Sequence, residues 1–390
     1  MVLKISQRGD IAPFMVMEVM SAAAAYERRH GHAALHLEVG QPGTAAPLRV
    51  REAAHHALDH TVGGYTLPRG MWPLRERIAR YYDETYGVFV DPERVMITTG
   101  SSAGFLLSFL ACFEPGDRIA MVDPGYPAYR NILKALGYTA VGIPAGPDTG
   151  FQPTAALLEQ SGQDFDGLIV ASPSNPTGSM LGAVALADLS EWCQDRSIRL
   201  ISDEIYHGIT YGAPAVTMAA FNDEAVIVNS FSKYFSMTGW RLGWLVLPPA
   251  VATHVERLAQ NLFISPPTLS QEAALAAFDA LEELDGHVAR YAKNREILLA
   301  ALCDVGITDI APSEGAFYLY CNIGHLTDDS VAFCQKLLAE TGIAITAGVD
   351  FDPKLGQKTV RFSFAGATEV IQDAAQRLRE WVPRYRESPP

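Results

Sequence analysis

The chain has 390 residues, 48% of them hydrophobic and 19% charged, with a formal net charge of −14 at pH 7. That length supports a large core split over two domains, and the composition is that of a globular enzyme rather than a disordered or fibrous chain. The acidic balance argues against nucleic acid or an anionic membrane as a general partner, although a local cationic cluster can still hold an anionic ligand.

The N-terminus lacks the sustained apolar run of a secretory signal, and no later run approaches membrane-spanning length, so a cytoplasmic protein is expected. From residue 94 onward, strand-like and helix-like blocks alternate as a parallel α/β sheet requires. Residues 94–98 read as a strand, followed by a helix from Gly100 through Phe113. After the turn at 114–117 comes a strand at 118–122, and the rhythm recurs at 167–170, 198–202, 225–228 and 242–246. Polar residues suited to chemistry fall just after these strands, at the carboxyl ends where open α/β sheets bind ligands. Beyond about residue 280 a charged helix around 286–299 leads into the Gly315–Tyr320 segment, a further helix, and short strands around 343–346 and 359–364. This reads as a smaller α+β domain. The five cysteines, Cys112, Cys193, Cys303, Cys321 and Cys334, form no Cys-x-x-Cys pair or zinc-like spacing, which fits reduced thiols and no metal.

The most informative string is Ser230-Phe231-Ser232-Lys233-Tyr234-Phe235-Ser236-Met237-Thr238-Gly239-Trp240-Arg241-Leu242-Gly243, delivered by the apolar run Ala225-Val226-Ile227-Val228. A lysine amine that is to bond covalently to a carbonyl needs a fixed, partly desolvated position. Hydroxyls and a planar guanidinium nearby suit a phosphate dianion. Together they describe a seat for pyridoxal 5′-phosphate (PLP). A lone Ser-x-Lys would be an ordinary surface turn; here it is one of an ordered series.

The series is Tyr65-Thr66-Leu67-Pro68-Arg69-Gly70, Thr99-Gly100-Ser101-Ser102, Asn175-Pro176-Thr177-Gly178, Ser202-Asp203-Glu204-Ile205-Tyr206, the Lys233 string, and Arg361-Phe362-Ser363-Phe364. In this order it resembles the class I/II aminotransferases, fold-type I enzymes that use PLP, and the resemblance runs from about Ile5 to the C-terminal helix. It implies a large domain, 45–280, with a mostly parallel seven-stranded sheet between helices. It also implies a small α+β domain, 281–390, with an N-terminal segment, 1–44, packed against it.

The resemblance also assigns roles. Asp203 would keep the cofactor's pyridine nitrogen protonated, although an aspartate after a strand is by itself an ordinary turn cap. Tyr206 and Asn175 would hydrogen-bond the ring oxygen, with Ile205 against one ring face and Tyr126 against the other. Ser101 and Ser102, opening a helix, would take the phosphate with Ser230, Ser232 and Arg241. Arg361 would clamp the substrate carboxylate bidentately, with the Gly40 backbone close by. Tyr65 would reach the phosphate of a neighbouring subunit, which makes the protein a homodimer with shared sites.

The expected reaction is transfer of an amino group from an amino acid to a 2-oxo acid, with Lys233 as base and acid. C–S bond cleavage or a related elimination or cyclisation on the same scaffold is the alternative, since fold does not fix chemistry. A non-catalytic sensor domain is a remote one, because the match begins too early to leave room for a DNA-binding domain in front. Ser102 stands where some aspartate enzymes carry lysine, and residues 258–266 contain no Arg or Lys, which points to a substrate with a neutral side chain.

Overall fold

The computed structural model describes residues 3–387, so the outermost residues of the expected 1–44 and 281–390 segments lie outside the described residues. The helix Met15–His30 leads to a short strand, β1 (Leu35–His36). The next seven strands are β2 (Val95–Thr98), β3 (Arg118–Asp123), β4 (Thr139–Pro144), β5 (Gly167–Ala171), β6 (Arg199–Asp203), β7 (Val226–Ser230) and β8 (Gly243–Val246). They form one sheet in the order β2-β8-β7-β6-β5-β3-β4. β8 is antiparallel to both neighbours, and the other pairings are parallel. The fold is thus α/β with a mostly parallel seven-stranded sheet, as expected.

The central strands are apolar without interruption because each face of the sheet is covered. Side-chain alternation sends Leu168, Val170, Leu200, Ile227 and Trp244 into one core, shared with Leu74 and Ile78 of the helix Trp72–Tyr86. It sends Ile169, Ile201, Val226, Val228 and Leu245 into a second core, shared with Phe105 and Phe109 of the helix Gly100–Cys112. β4 was not anticipated. It is an edge strand, half-exposed, and its Gly142 and Pro144 are weak strand formers. Gly142 has a local reason: a Cβ there would lie 2.1 Å from Asp123 Oδ2.

Strand direction positions the site. β3, β5, β6 and β7 run the same way, and their carboxyl ends deliver Tyr126, Asn175, Asp203 and Lys233 to one edge. β8 runs oppositely, so Arg241, which precedes it, comes to that same edge. β2 is antiparallel to β8, and its end therefore brings Gly100, Ser101 and Ser102 there too.

A second sheet, in the order β11-β12-β9, is built from β9 (Tyr318–Asn322), β11 (Thr346–Ala347) and β12 (Thr359–Ser363). The stretch expected as one strand over 343–346 is two strands. β10 (Ile343–Ala344) pairs in parallel with β1, and β11 leaves for the other sheet. The helix expected around 286–299 spans Leu281–Asp304, since its polar first turn extends the pattern.

β1 ties the N-terminal segment to the C-terminal part of the chain, and a charged cluster reinforces the tie. His36 Nδ1 lies 2.8 Å from Oε1 of the fully buried Glu38, and its Nε2 3.2 Å from Glu27 Oε1. The hydrogen bond to Glu38 raises the imidazole to about 9, against the opposing effect of burial. A proton held more tightly in the folded state contributes fully below the ordinary value of 6.5, and its contribution is lost as pH rises through 9. The thermal-unfolding advantage of the parent protein over His36→Gln should therefore be largest near pH 6 and shrink as pH rises to 9 and above. A difference that stays constant across this range would exclude the ion pair as its source.

Candidate active site

The strand ends surround a cavity of about 310 Å³. Lys233 enters it from the turn after β7, which is fixed by the bonds Met237 N–H to Phe231 O (3.0 Å) and Thr238 Oγ1 to Ser232 O (2.8 Å). Its Nζ donates to the Gly40 carbonyl at 2.6 Å. Burial, reinforced by the charges of Arg361 and Arg241 and opposed by Asp203, lowers the amine to about 8. Asp203, the last residue of β6, is shifted the other way. Burial raises its carboxyl to about 6, opposed by the Tyr129 hydroxyl that donates to Oδ2, by the Ile205 N–H on Oδ1 (3.1 Å) and by Lys233. Both shifts have the sign that desolvation of a charged form demands.

One end of the cavity is built for an anion. The helix Gly100–Cys112 starts there, with Ser101 and Ser102 in the wall and its first N–H groups unpaired within the helix. Gly100 has φ +75°, and a Cβ on it would lie 2.4 Å from Arg241 Nη2, so only glycine lets the guanidinium rest across the helix start. Arg241 itself adopts a left-handed conformation (φ 51°, ψ 55°) and donates to the Thr238 carbonyl at 3.1 Å. Ser232 and Thr238 complete this end. Ser230 does not: it lies behind the wall, where its hydroxyl donates to the Leu242 carbonyl (3.1 Å) and accepts the Ser232 N–H (3.1 Å). The expectation that it lines the phosphate cup is corrected to support of Ser232, because its hydroxyl is consumed by the backbone.

Arg361 marks the other end. It is buried, donates from Nη1 to Asn175 Oδ1 at 2.8 Å and from Nη2 to the Glu38 carbonyl, and its Nε has no partner. Its guanidinium lies 4.3 Å from the Tyr318 ring centroid and 4.7 Å from that of Phe351. A buried arginine without a carboxylate partner is poised for one from a ligand. Tyr206 and Ile205 sit in the wall, as do Gly40 and Tyr126, with the Tyr206 hydroxyl 2.7 Å from that of Tyr318.

Three contributions were not anticipated. Tyr129 reaches Asp203 from one helical turn beyond Tyr126, a spacing the sequence displays. Tyr318 was read only as part of a strand. Phe14, Val16 and Met17 supply an apolar wall from the N-terminal segment, far away in sequence. Tyr65 is 84% exposed and lies outside the cavity of its own chain.

Residues 33–378 match the family model described as aminotransferase class I and II. The chain belongs to this family. It is 50% identical over 384 residues to a valine–pyruvate aminotransferase of Mycobacterium tuberculosis, covering 97% of this chain and 99% of that protein. It is 32% identical to a (5-formylfuran-3-yl)methyl phosphate transaminase of Methanocaldococcus jannaschii, with 95% and 96% covered. The crystal structure of an aminotransferase from Mycobacterium tuberculosis superposes with a TM-score of 0.96 at 49% identity, covering 98% of this chain and all of that one. Aspartate aminotransferase from Thermus thermophilus with maleate superposes at 0.90 and 29% identity, with 97% and 100% covered. The protein is therefore a transaminase moving an amino group from an amino acid to a 2-oxo acid, in a family whose members generally use PLP.

The electrostatics can be checked directly. In the apo-protein, reductive methylation of Lys233 followed by peptide mass spectrometry should show a reactivity midpoint near 8, and Arg361→Leu should raise it. A midpoint near the ordinary lysine value of 10.5 would show that the amine is not desolvated.

Proposed function

We propose that this aminotransferase holds PLP in the cavity and takes an amino acid with an apolar side chain. The observation that carries the reading is one desolvated lysine amine between an anion-binding helix start and a buried aspartate. Those two ends fit the two charged parts of PLP, its phosphate and its ring nitrogen. Ser101, Ser102, Ser232 and Arg241 would hold the phosphate, and Asp203 the protonated nitrogen. Tyr206 and the amide NH₂ of Asn175 would face the ring oxygen, with Tyr126 and Ile205 on the ring faces. When bound, PLP supplies an electron sink for the charge left on the substrate Cα after deprotonation.

The chain's own residues do the rest. Lys233 anchors the cofactor, is released by the incoming amine, and then takes and returns the Cα proton. With its amine lowered to about 8, a useful fraction is neutral near physiological pH. Arg361 receives the substrate carboxylate, its Nε still unpaired. The cations lining the cavity among the described residues are Lys233, Arg241 and Arg361, and each is committed. What remains for the substrate side chain is Phe14, Val16, Met17 and Val39, an apolar surface. The name of the valine–pyruvate relative agrees with this.

The same reading extends to assembly. Val62, Tyr65, Leu67, Leu262 and Ile264 are exposed, and the bond from Thr268 Oγ1 to the Gly64 carbonyl joins the two loops that carry them. An apolar patch of this kind supports a second copy of the chain, with Tyr65 offered to the partner's site. We read residues 45–280 as the cofactor-binding unit and 281–390, with 1–44, as the smaller one. No described helix is long and apolar enough to cross a membrane, and we assign the protein to the cytoplasm.

Lys233→Ala should lose both transamination and the yellow colour of the PLP-loaded protein. In a panel of amino donors with pyruvate and 2-oxoglutarate, apolar amino acids should give the highest kcat/KM. Aspartate or glutamate as best donor would refute the apolar assignment.

For the shared site, Tyr65→Ala and Lys233→Ala are mixed after mild unfolding. The Tyr65→Ala chain keeps its own lysine and borrows tyrosine from its partner, so activity should exceed that of either variant alone. No gain despite confirmed subunit exchange would mean that each site is complete within one chain.

A further inference from the structure

Tyr318 touches more of the site than any residue assigned so far. Its hydroxyl is 2.7 Å from that of Tyr206, and its ring lies 4.3 Å from the guanidinium carbon of Arg361. A Cβ on Gly40 would fall 1.8 Å from the Tyr318 hydroxyl, so the Gly40 loop, which also receives Lys233 Nζ, is shaped around this side chain. The side chain is 1% exposed.

The chain fixes Tyr318 from several directions. In the β9–β12 register, Tyr318 is opposite Ser363 and Tyr320 opposite Arg361, so Tyr318 and Arg361 are diagonal neighbours on one face. The preceding residues are held in unusual conformations, with Ser313 at φ 50° and Ala316 at φ 57°. They are clamped by the bonds Ala316 N–H to Ile209 O (3.0 Å), Gly315 N–H to Gly178 O (2.8 Å) and Tyr211 hydroxyl to Ala316 O (2.6 Å). Non-glycine residues stay at positive φ only where the surroundings over-determine them.

We infer that Tyr318 is a positioning residue that couples the two halves of the reaction site, its hydroxyl ordering Tyr206 toward the cofactor's ring oxygen and its ring seating Arg361 for the substrate carboxylate. This rests on the proposed PLP site. A buried hydroxyl pair has one proton to share along its line, so a Tyr318 that donates leaves the Tyr206 proton free to point onward. Hydrogen bonds in series strengthen one another, which makes Tyr206 the better donor. A stronger donor on the ring oxygen eases proton release from the nitrogen that Lys233 contributes.

The two contacts are separable. Tyr318→Phe keeps the ring and removes the hydroxyl, whereas Tyr318→Leu removes both. In the PLP-loaded enzyme, the pH midpoint of the visible-absorption change should rise in Tyr318→Phe by about half a unit, roughly threefold in proton affinity. The KM for the amino donor should stay within about twofold, because the face presented to Arg361 is intact. Tyr318→Leu should raise KM at least about threefold as the cation–π contact is lost. Tyr206→Phe should move the midpoint in the same direction, and adding Tyr318→Phe to it should move it no further, since one acts through the other.

An unchanged midpoint in a Tyr318→Phe enzyme that still shows the cofactor band overturns the assignment, as do additive shifts in the double variant. A parent enzyme without a cofactor band would instead sink the PLP reading, and this inference with it.

Discussion

A lysine ammonium and an aspartate carboxylate are withdrawn from water into one cavity, and the rest of the site is arranged around that fact. Desolvation is the leading cause of both shifts, and it drives them toward each other, Lys233 down to about 8 and Asp203 up to about 6. Neighbours then decide how far each group goes. Arg361 acts with burial on the lysine, while the Tyr129 hydroxyl and the Ile205 N–H act against burial on the aspartate. The result is an amine that can be neutral and a carboxylate that can stay charged at the same pH. That combination requires two buried groups on adjacent strand ends, which the parallel pairing of β6 and β7 supplies.

The second requirement is that the opposite wall stay in place, and here the N-terminal segment matters. Glu38 offers its carbonyl to Arg361 and to the Thr346 hydroxyl (3.0 Å), and its carboxylate to His36. Gly40, two residues on, receives Lys233. A short parallel pairing of β1 with β10 is the backbone part of this anchorage. The apolar residues Phe14, Val16 and Met17 lie upstream of it, at the start of the helix Met15–His30. The surface that would meet the substrate side chain is thus held by the same segment that holds the carboxylate clamp.

What the sequence made legible follows from how local each signal is. Lys233, Asp203, Asn175 and the Gly100 turn each come directly after an apolar run, so the strand and its product can be read together. β4 was illegible because an edge strand need not be apolar on both faces, and its Gly142 answers to Asp123 on the neighbouring strand rather than to its own neighbours. Ser230 was misplaced for a related reason. Spacing puts it beside Lys233, but only the return of the chain at Leu242 shows where its hydroxyl goes. Tyr318 and the Phe14–Met17 wall are products of tertiary contact across hundreds of residues, and no window of the sequence displays them.

Two glycines show how those long-range contacts still leave a mark. Gly40 and Gly100 sit in different turns, and in each a methyl group would strike the working end of a distant side chain, Tyr318 in one and Arg241 in the other. Neither is explained by its turn alone, since Gly40 has no positive φ and Gly100 begins a helix. The cost of an added Cβ would fall on the groups facing the ligand rather than on the fold, because the struck atoms are a hydroxyl and a guanidinium lining the cavity. The site therefore depends on small residues as much as on charged ones. Absence of a side chain at two positions is what lets an anion-binding arginine and a buried tyrosine close on opposite sides of the same lysine.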